Sequence, residues 1–391
     1  MNTAIIIGAG PAGLMAAEEL AKAGVSVTVC EAKPSVGRKF LMAGKSGLNI
    51  TKDEAPEQFL AAFTEASPHL APMIAAFGPN EIKLWAAELG QELFTGSTGR
   101  VFPKAMKASP LLRAWLGRLD ALGVTFNTRW RWTGWSDGGL RFDTPEGVQT
   151  LGADVTIFAL GGASWKRLGS DGVWAEAFQA KNVPVTPFSA ANAGIKIDWS
   201  SFMEKHFGFA LKGIALSSGP FTSRGEAVIS RQGIEGGGVY SVSRGVRDGH
   251  QLVVDLAPDQ TLENIGKKLS KPQGKATLTN HMRKVLKLDP AKIALLQEMA
   301  KPLPKDPKQL AKLIKAVPVQ HSGLRPMDEA ISTAGGVAWS GVDETLMLQS
   351  MPATYVVGEM LDWEAPTGGY LITACLATGA WAGRHAAAKI G

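Results

Sequence analysis

Gly8-Ala9-Gly10-Pro11-Ala12-Gly13 constrains this chain more than any other stretch. It fits G-x-G-x-x-G, and its flanks give it a context. Residues 3–8 (TAIIIG) predict a short buried strand, and residues 11–24 a helix with Ala12, Ala16, Ala17, Leu20 and Ala21 on its packing side. Residues 25–31 (VSVTVCE) alternate as a second strand. In such a strand–helix–strand unit Gly8 permits the tight turn, Gly10 lets the backbone approach a pyrophosphate, and Gly13 allows close helix–strand packing. The helix start at Pro11 and Ala12 turns its N–H groups and positive dipole end toward the phosphates. Glu31, 18 residues past Gly13, ends the second strand just before Ala32, where a carboxylate accepts hydrogen bonds from ribose hydroxyls. A carboxylate there disfavours a 2′-phosphate, so the dinucleotide is expected to be FAD or NAD.

Three later stretches favour FAD. Ala159-Leu160-Gly161-Gly162 ends a predicted strand over 154–160 that would cover a dinucleotide. Gly358-Glu359 ends another over 354–358, where an acidic residue can bond the ribityl chain of a flavin. Thr367-Gly368-Gly369 opens a helix over 369–389, whose N–H groups suit the pyrimidine edge of a flavin.

Helices are also expected over 57–66, 80–89 and 109–122, and strands over 124–135 and 139–143. From 166 to 257 short apolar stretches alternate with Gly, Pro and Ser turns, which predicts a β domain. Residues 259–317 carry apolar positions at helical spacing with lysines between them. The expected organisation is a discontinuous FAD-binding domain (1–165 and 325–391), an inserted β-rich substrate domain (166–257 and 318–324) and a basic helical subdomain (258–317). The chain of 391 residues is long enough for all three.

The stretches IIGAGPAGLMAA near the start, GRKFLMAGKSGLNIT at 37–51, ALGGAS at 159–164, GEAVIS at 225–230, TAGGV at 333–337 and GEMLDWEAPTGGYLITACLATG at 358–379 together resemble the BaiN/YhiN-like flavoproteins, often called NAD(FAD)-utilising dehydrogenases. The resemblance implies an α/β fold of glutathione-reductase type, a FAD-binding Rossmann-like domain with an inserted β domain and a helical cap. In the loop expected to run under the cofactor, it places Arg38 at the pyrophosphate, with Lys39 beside it, and Gly47 and Asn49 near the isoalloxazine. It likewise puts Gly368, Gly369, Tyr370, Leu371 and Ile372 beside the flavin. Members include a reductase of C=C bonds in oxidised bile acids and an aminoacetone oxidase, and more distant relatives modify tRNA. Where members carry Gly-Gly-Arg-Cys-Asn, this chain has Lys45-Ser46-Gly47-Leu48-Asn49, and Gly-Gly-Tyr-Asn-Leu-Gln becomes Gly368-Gly369-Tyr370-Leu371-Ile372-Thr373. The chain thus looks like a distinct subgroup.

Ala43-Gly44-Lys45-Ser46 imitates the end of a P-loop, but that motif needs Gly at position 39, which is Lys39. No second G-x-G-x-x-G supports a separate nicotinamide domain, so if NAD(P)H reduces the flavin it is expected as a transient co-substrate docking over the cap. An amine oxidase using oxygen remains an alternative. Hydride transfer needs a proton donor or acceptor, and His321, Lys45 and Tyr370 are the catalytic candidates. For His321 a structural role at a domain joint is the plainer reading. Arg325 could pair with a substrate carboxylate, and Trp165 and Trp363 could wall an aromatic pocket.

Charge is uneven. Residues 258–318 hold 13 Lys and Arg against 5 Asp and Glu, a net +8 within a chain of formal charge +6. The segment contains no Phe, Tyr or Trp, so a solvated helix face is expected rather than a nucleic-acid stripe; the rival reading, an RNA-modifying flavoprotein, would use Lys267, Lys268, Lys271, Arg283 and Lys284. The partner expected is a small-molecule substrate. The two cysteines, Cys30 and Cys375, read as core residues, and the scattered histidines give no metal spacing. No apolar run approaches membrane-spanning length and the N-terminus does not look like a signal peptide, so a cytoplasmic protein is expected. Oligomeric state stays open.

Overall fold

The computed structural model describes residues 2–45 and 47–391. Strand β1 (Thr3–Ile7) is buried at every position after the first, so its isoleucines need cover on both faces. Parallel sheets provide that cover. β1 pairs in parallel with β2 (Ser26–Glu31) on one side and with Val155–Phe158 on the other, Ile5 lying between Thr28 and Thr156. The five-stranded sheet runs in the order 354–356, 155–158, β1, β2, 125–128.

Helix α1 (Pro11–Lys22) connects β1 to β2 and packs against the C-terminal helix Tyr370–Ile390. Glycine makes the approach close: a Cβ on Gly379 would lie 2.2 Å from the Ala12 carbonyl oxygen. Beneath α1 the fully buried Glu18 accepts hydrogen bonds from Trp115 Nε1 (2.6 Å), Trp85 Nε1 (3.2 Å) and Arg118 Nη1 (3.1 Å), which satisfies an otherwise costly buried charge. A short helix α2 (Arg38–Ala43) follows β2. Then β3 (Thr51–Lys52), β4 (Leu93–Thr95) and β5 (Arg100–Pro103) form a small antiparallel sheet with β5 in the middle.

The described residues divide into two units. One runs to Ser189 and resumes at Ser332; the other is Ala190–Ile331. In the second, six strands form an antiparallel sheet, and the helices Leu262–Leu269, Leu278–Leu286, Pro290–Ala300 and Pro307–Lys315 follow in sequence. Thr261, Thr277, Asp289 and Asp306 cap these helices, each side chain accepting an N–H three residues on.

Several expectations need correction. The β part and the helical part of the insertion share one core, in which Leu216 and Val254 pack with Ile265, Leu295 and Ile314, so they are one unit rather than two. The insertion begins at 190, not 166. Residues 166–189 include the helix Trp174–Gln179, and its Trp174 and Phe178 join Phe158, Trp132 and Trp135 in the aromatic core of the first unit. Residues 325–331 belong with the insertion. The strand expected over 124–135 is two, Thr125–Thr128 and Arg131–Ser136, because Arg129 turns the chain at φ 61°. A third hairpin strand, Gly147–Leu151, was not foreseen, nor was the helix Ser67–Ala76, whose Pro68 and Pro72 conceal it.

Candidate dinucleotide site

The glycines of the first turn do different jobs. A Cβ on Gly8, at φ 105°, would lie 2.3 Å from the Ala159 carbonyl oxygen, and one on Gly13 would lie 2.1 Å from that of Gly8. Both keep β1, α1 and the loop after Phe158 in contact; the Ala159 N–H donates to the Ile7 carbonyl at 2.8 Å. Gly10 has an ordinary φ of −82°, and a Cβ there would meet nothing within 4 Å. Open space therefore lies before α1, which starts at Pro11 and Ala12 with no side chain capping it. An uncapped helix start facing open space is an anion-binding arrangement.

Glu31 stands beside this turn. Its Oε2 accepts the Ala9 N–H at 3.0 Å and its Oε1 the Lys33 N–H at 2.8 Å, across half-buried Ala32. Burial pushes its carboxyl above the usual range although both N–H groups work against that.

A second cluster joins three loops. Lys39 Nζ lies 2.6 Å from Glu359 Oε2 and donates to Ser164 Oγ at 2.8 Å. Glu359 Oε1 accepts the Thr333 N–H at 3.0 Å, and Thr333 Oγ1 accepts the Ala163 N–H at 2.9 Å. Gly162 has to be glycine because a Cβ would lie 2.6 Å from the Thr333 side chain. The Gly161 carbonyl accepts Trp174 Nε1 at 2.9 Å. Gly358 presses its loop onto α1, a Cβ there falling 2.7 Å from that of Ala12.

The third cluster sits at the start of the C-terminal helix. Gly369, at φ 99°, would drive a Cβ to 2.4 Å from the Thr51 carbonyl carbon, and Gly368 lies at φ 138°. Tyr370 packs its ring 4.9 Å from that of Phe59, centroid to centroid. Its hydroxyl donates to Glu54 Oε1 at 2.5 Å and accepts from Lys52 Nζ at 2.8 Å, while Lys52 and Glu54 pair at 2.6 Å. Burial and the Glu54 carboxylate push the Tyr370 hydroxyl up. Burial works to lower Lys52, but Glu54 and Tyr370 outweigh it and the ammonium is held above its usual range. Leu371 and Ile372 continue the helix, half-buried against the core.

Gly47, at φ 126°, would bring a Cβ to 2.7 Å from the methyl of Met106. Asn49 Oδ1 and Arg38 Nε are buried without a partner among the described residues, although Arg38 Nη1 reaches Ser35 Oγ at 3.1 Å. Buried polar atoms without protein partners call for a ligand that supplies them, and both lie in the stretch expected under FAD, which the structure resolves into α2 at Arg38 and an irregular segment at Asn49. Exposed Lys45 follows α2, and Ser46 lies outside the described residues.

The other candidates part company with these. His321 belongs to the second unit, where its Nδ1 accepts the Gly323 N–H at 3.2 Å and burial holds its pKa below the usual value. Arg325 is not free for a substrate carboxylate: it is held between Glu235 and Glu329 of its own unit, the latter at 2.5 Å. Trp363 is a core residue whose Nε1 donates to the Gly358 carbonyl at 2.8 Å, and Trp165 sits in a left-handed turn with the Arg167 guanidinium 5.3 Å from its ring. Sequence reasoning missed Ser164, Thr333, Lys52 and Glu54. Ser164 and Thr333 stood within quoted stretches but carried no charge to draw attention, and Lys52-x-Glu54 was a visible pair just past Asn49.

A parallel sheet with an open glycine turn before an uncapped helix, and a carboxylate ending the next strand, defines a Rossmann-like dinucleotide-binding protein. The chain belongs to the HI0933-like Rossmann family, whose domain matches residues 2–385. It is 27% identical to the 3-dehydro-bile acid delta(4,6)-reductase of Clostridium scindens over the full length of both chains. It is 25% identical to the ribosomal RNA dihydrouridine synthase of Haemophilus influenzae over 94% of each. The solved 3-ketosteroid delta1-dehydrogenase of Sterolibacterium denitrificans shares the fold, at a TM-score of 0.57 and 13% identity over all of both chains. Membership of this family makes the protein a flavin-dependent oxidoreductase. No helix among the described residues is long and apolar enough to cross a membrane.

Proposed function

We propose that the protein binds FAD in the first unit and reduces a small organic substrate at an activated double bond, with NAD(P)H as transient electron donor. The observation that carries the cofactor assignment is the pair of orphaned buried atoms, Arg38 Nε at the start of α2 and Asn49 Oδ1 between α2 and β3. Gly10, Pro11, Ala12 and the helix start would take the pyrophosphate with Arg38, and Glu31 the ribose. Bound FAD would supply hydride acceptance and donation at its ring. Lys39, fastened to Glu359 and Ser164, would set the charge at the second crossing. The proton that accompanies hydride is assigned to Tyr370, whose high pKa keeps its proton near neutral pH and whose hydroxyl joins Lys52 and Glu54.

The visible spectrum of the purified protein, followed anaerobically with NADH, NADPH and a panel of amines, tests this. A yellow protein bleached by a nicotinamide nucleotide supports the reading. Bleaching by an amine alone replaces it with an amine oxidase, and a colourless protein that takes up no added FAD removes it.

A second reading, an RNA-modifying flavoprotein, is favoured by one feature of the helical part of the insertion. Lys267, Lys271, Arg283 and Lys284 are exposed and none makes an ion pair among the described residues, while nearby Asp289 and Asp306 are engaged as helix caps and Glu298 accepts from Ser200. The relative from Haemophilus influenzae bears the name of an RNA enzyme. Salt-sensitive RNA binding in gel shifts, lost on neutralising these four residues, would support it.

A further inference from the structure

The small sheet β3–β5–β4 exposes one face beside the third cluster, to which its Lys52 belongs. β5 alternates exposed, buried, half-buried, buried, so Arg100 and Phe102 point to the same side while Val101 and Pro103 face the core. The register puts Lys52 directly opposite Arg100 and Phe94 directly opposite Phe102. The Phe94 and Phe102 rings stack at 5.6 Å with 25° between their planes, and Phe94 remains 41% exposed. Met106, also exposed, extends this apolar ground beside Gly47.

Like charges opposite one another across a strand pair are unfavourable, and two cations face each other here. Lys52 is compensated by Glu54 and Tyr370. Arg100 is compensated by nothing: its guanidinium makes no hydrogen bond or ion pair with any described residue. It is also close to the third cluster, since a Cβ on Gly368 would lie 3.8 Å from Arg100 Nε. A free guanidinium and a stacked apolar platform, two residues or roughly 7 Å apart along one strand, complement a molecule with an acidic group and a flat apolar body.

We infer that Arg100 anchors the anionic group of the substrate while Phe94 and Phe102 carry its apolar ring system, so that the substrate class is a flat, apolar carboxylic acid. This deepens the proposed function and rests on it. Arg100 is the specificity-determining residue; the platform contributes affinity without regard to charge.

A matched pair of probes tests it: a 3-oxo-4-ene steroid bearing a side-chain carboxylate, and its methyl ester. Binding to the flavin-loaded protein is measured by calorimetry, with the flavin-to-protein absorbance ratio recorded for every sample. Wild type should bind the acid about tenfold more tightly than the ester. Arg100→Gln should erase that preference by weakening the acid alone, Arg100→Lys should restore part of it, and Phe102→Ala should weaken acid and ester by similar factors. The inference is overturned if wild type shows no preference for the acid or binds neither probe. It is equally overturned if the preference survives Arg100→Gln, or if that variant loses NADPH affinity instead, which would give Arg100 to the nucleotide. A protein without flavin would sink the proposed function; a flavin-loaded protein whose selectivity ignores Arg100 sinks only this inference.

Discussion

Lys39 Nζ lies 2.6 Å from Glu359 Oε2, joining residues 320 positions apart in the chain. The pair closes the second crossing over the sheet, because Ser164 and Thr333 bond the same two side chains. Lys39→Met would leave a half-buried carboxylate with one N–H donor. Because the pair is partly exposed, the cost in stability should be about 1–2 kcal/mol rather than that of a fully buried pair. FAD retention should fall about tenfold at the same time, read from the flavin-to-protein absorbance ratio after gel filtration.

The glycines of the first turn should separate binding from folding. Gly10→Ala places its methyl in open space at an allowed φ, so the apoprotein should unfold within about 0.5 kcal/mol of wild type while FAD affinity drops. Gly13→Ala forces a methyl to 2.1 Å from a carbonyl oxygen and should destabilise the apoprotein by about 1–3 kcal/mol. Denaturant melts and flavin titrations of both variants decide the matter; equal melts would contradict the division of labour.

Tyr370→Phe keeps the ring between Phe59 and Phe63 and leaves the Lys52–Glu54 pair intact. With a proton role, turnover should fall by about a hundredfold or more while flavin reduction by the nucleotide stays near wild type. Stopped-flow separation of the two half-reactions checks this, and unchanged turnover would mark the hydroxyl as structural.

His321 should make stability depend on pH. Burial lowers its folded pKa below the unfolded value of about 6.5, so below that value the unfolded chain binds the proton more readily than the folded one. Its contribution is therefore present at neutral pH and lost as pH falls through the window beneath about 6.5. His321→Asn should flatten that part of the Tm-against-pH curve, and two parallel curves would exclude the effect.

Lys45→Ala tests the loop where this chain departs from the resemblance seen in its sequence. Lys45 is exposed after α2, so the change should leave Tm within about 1 °C of wild type. If the loop borders the reacting face, turnover should fall; unchanged flavin reduction and turnover would remove it from the site.

The sequence by itself determined the parallel α/β core and its glycine turn. Hydrophobic period, glycine placement and the Glu31 carboxylate are local signals, spaced within some 30 residues, and they need no tertiary context. The end of α1 at Lys22 and of β2 at Glu31 followed closely from them. Less was legible where partners come from far apart. That Lys39 meets Glu359, that Arg325 is already held by Glu235 and Glu329, and that Arg100 faces Lys52 with no counter-ion among the described residues are facts of three-dimensional pairing. A charged residue looks the same in a sequence whether or not an opposite charge is folded against it. The tertiary structure also decided that the basic helices and the β strands of the insertion are one unit, because a shared apolar core is a property of packing and not of composition.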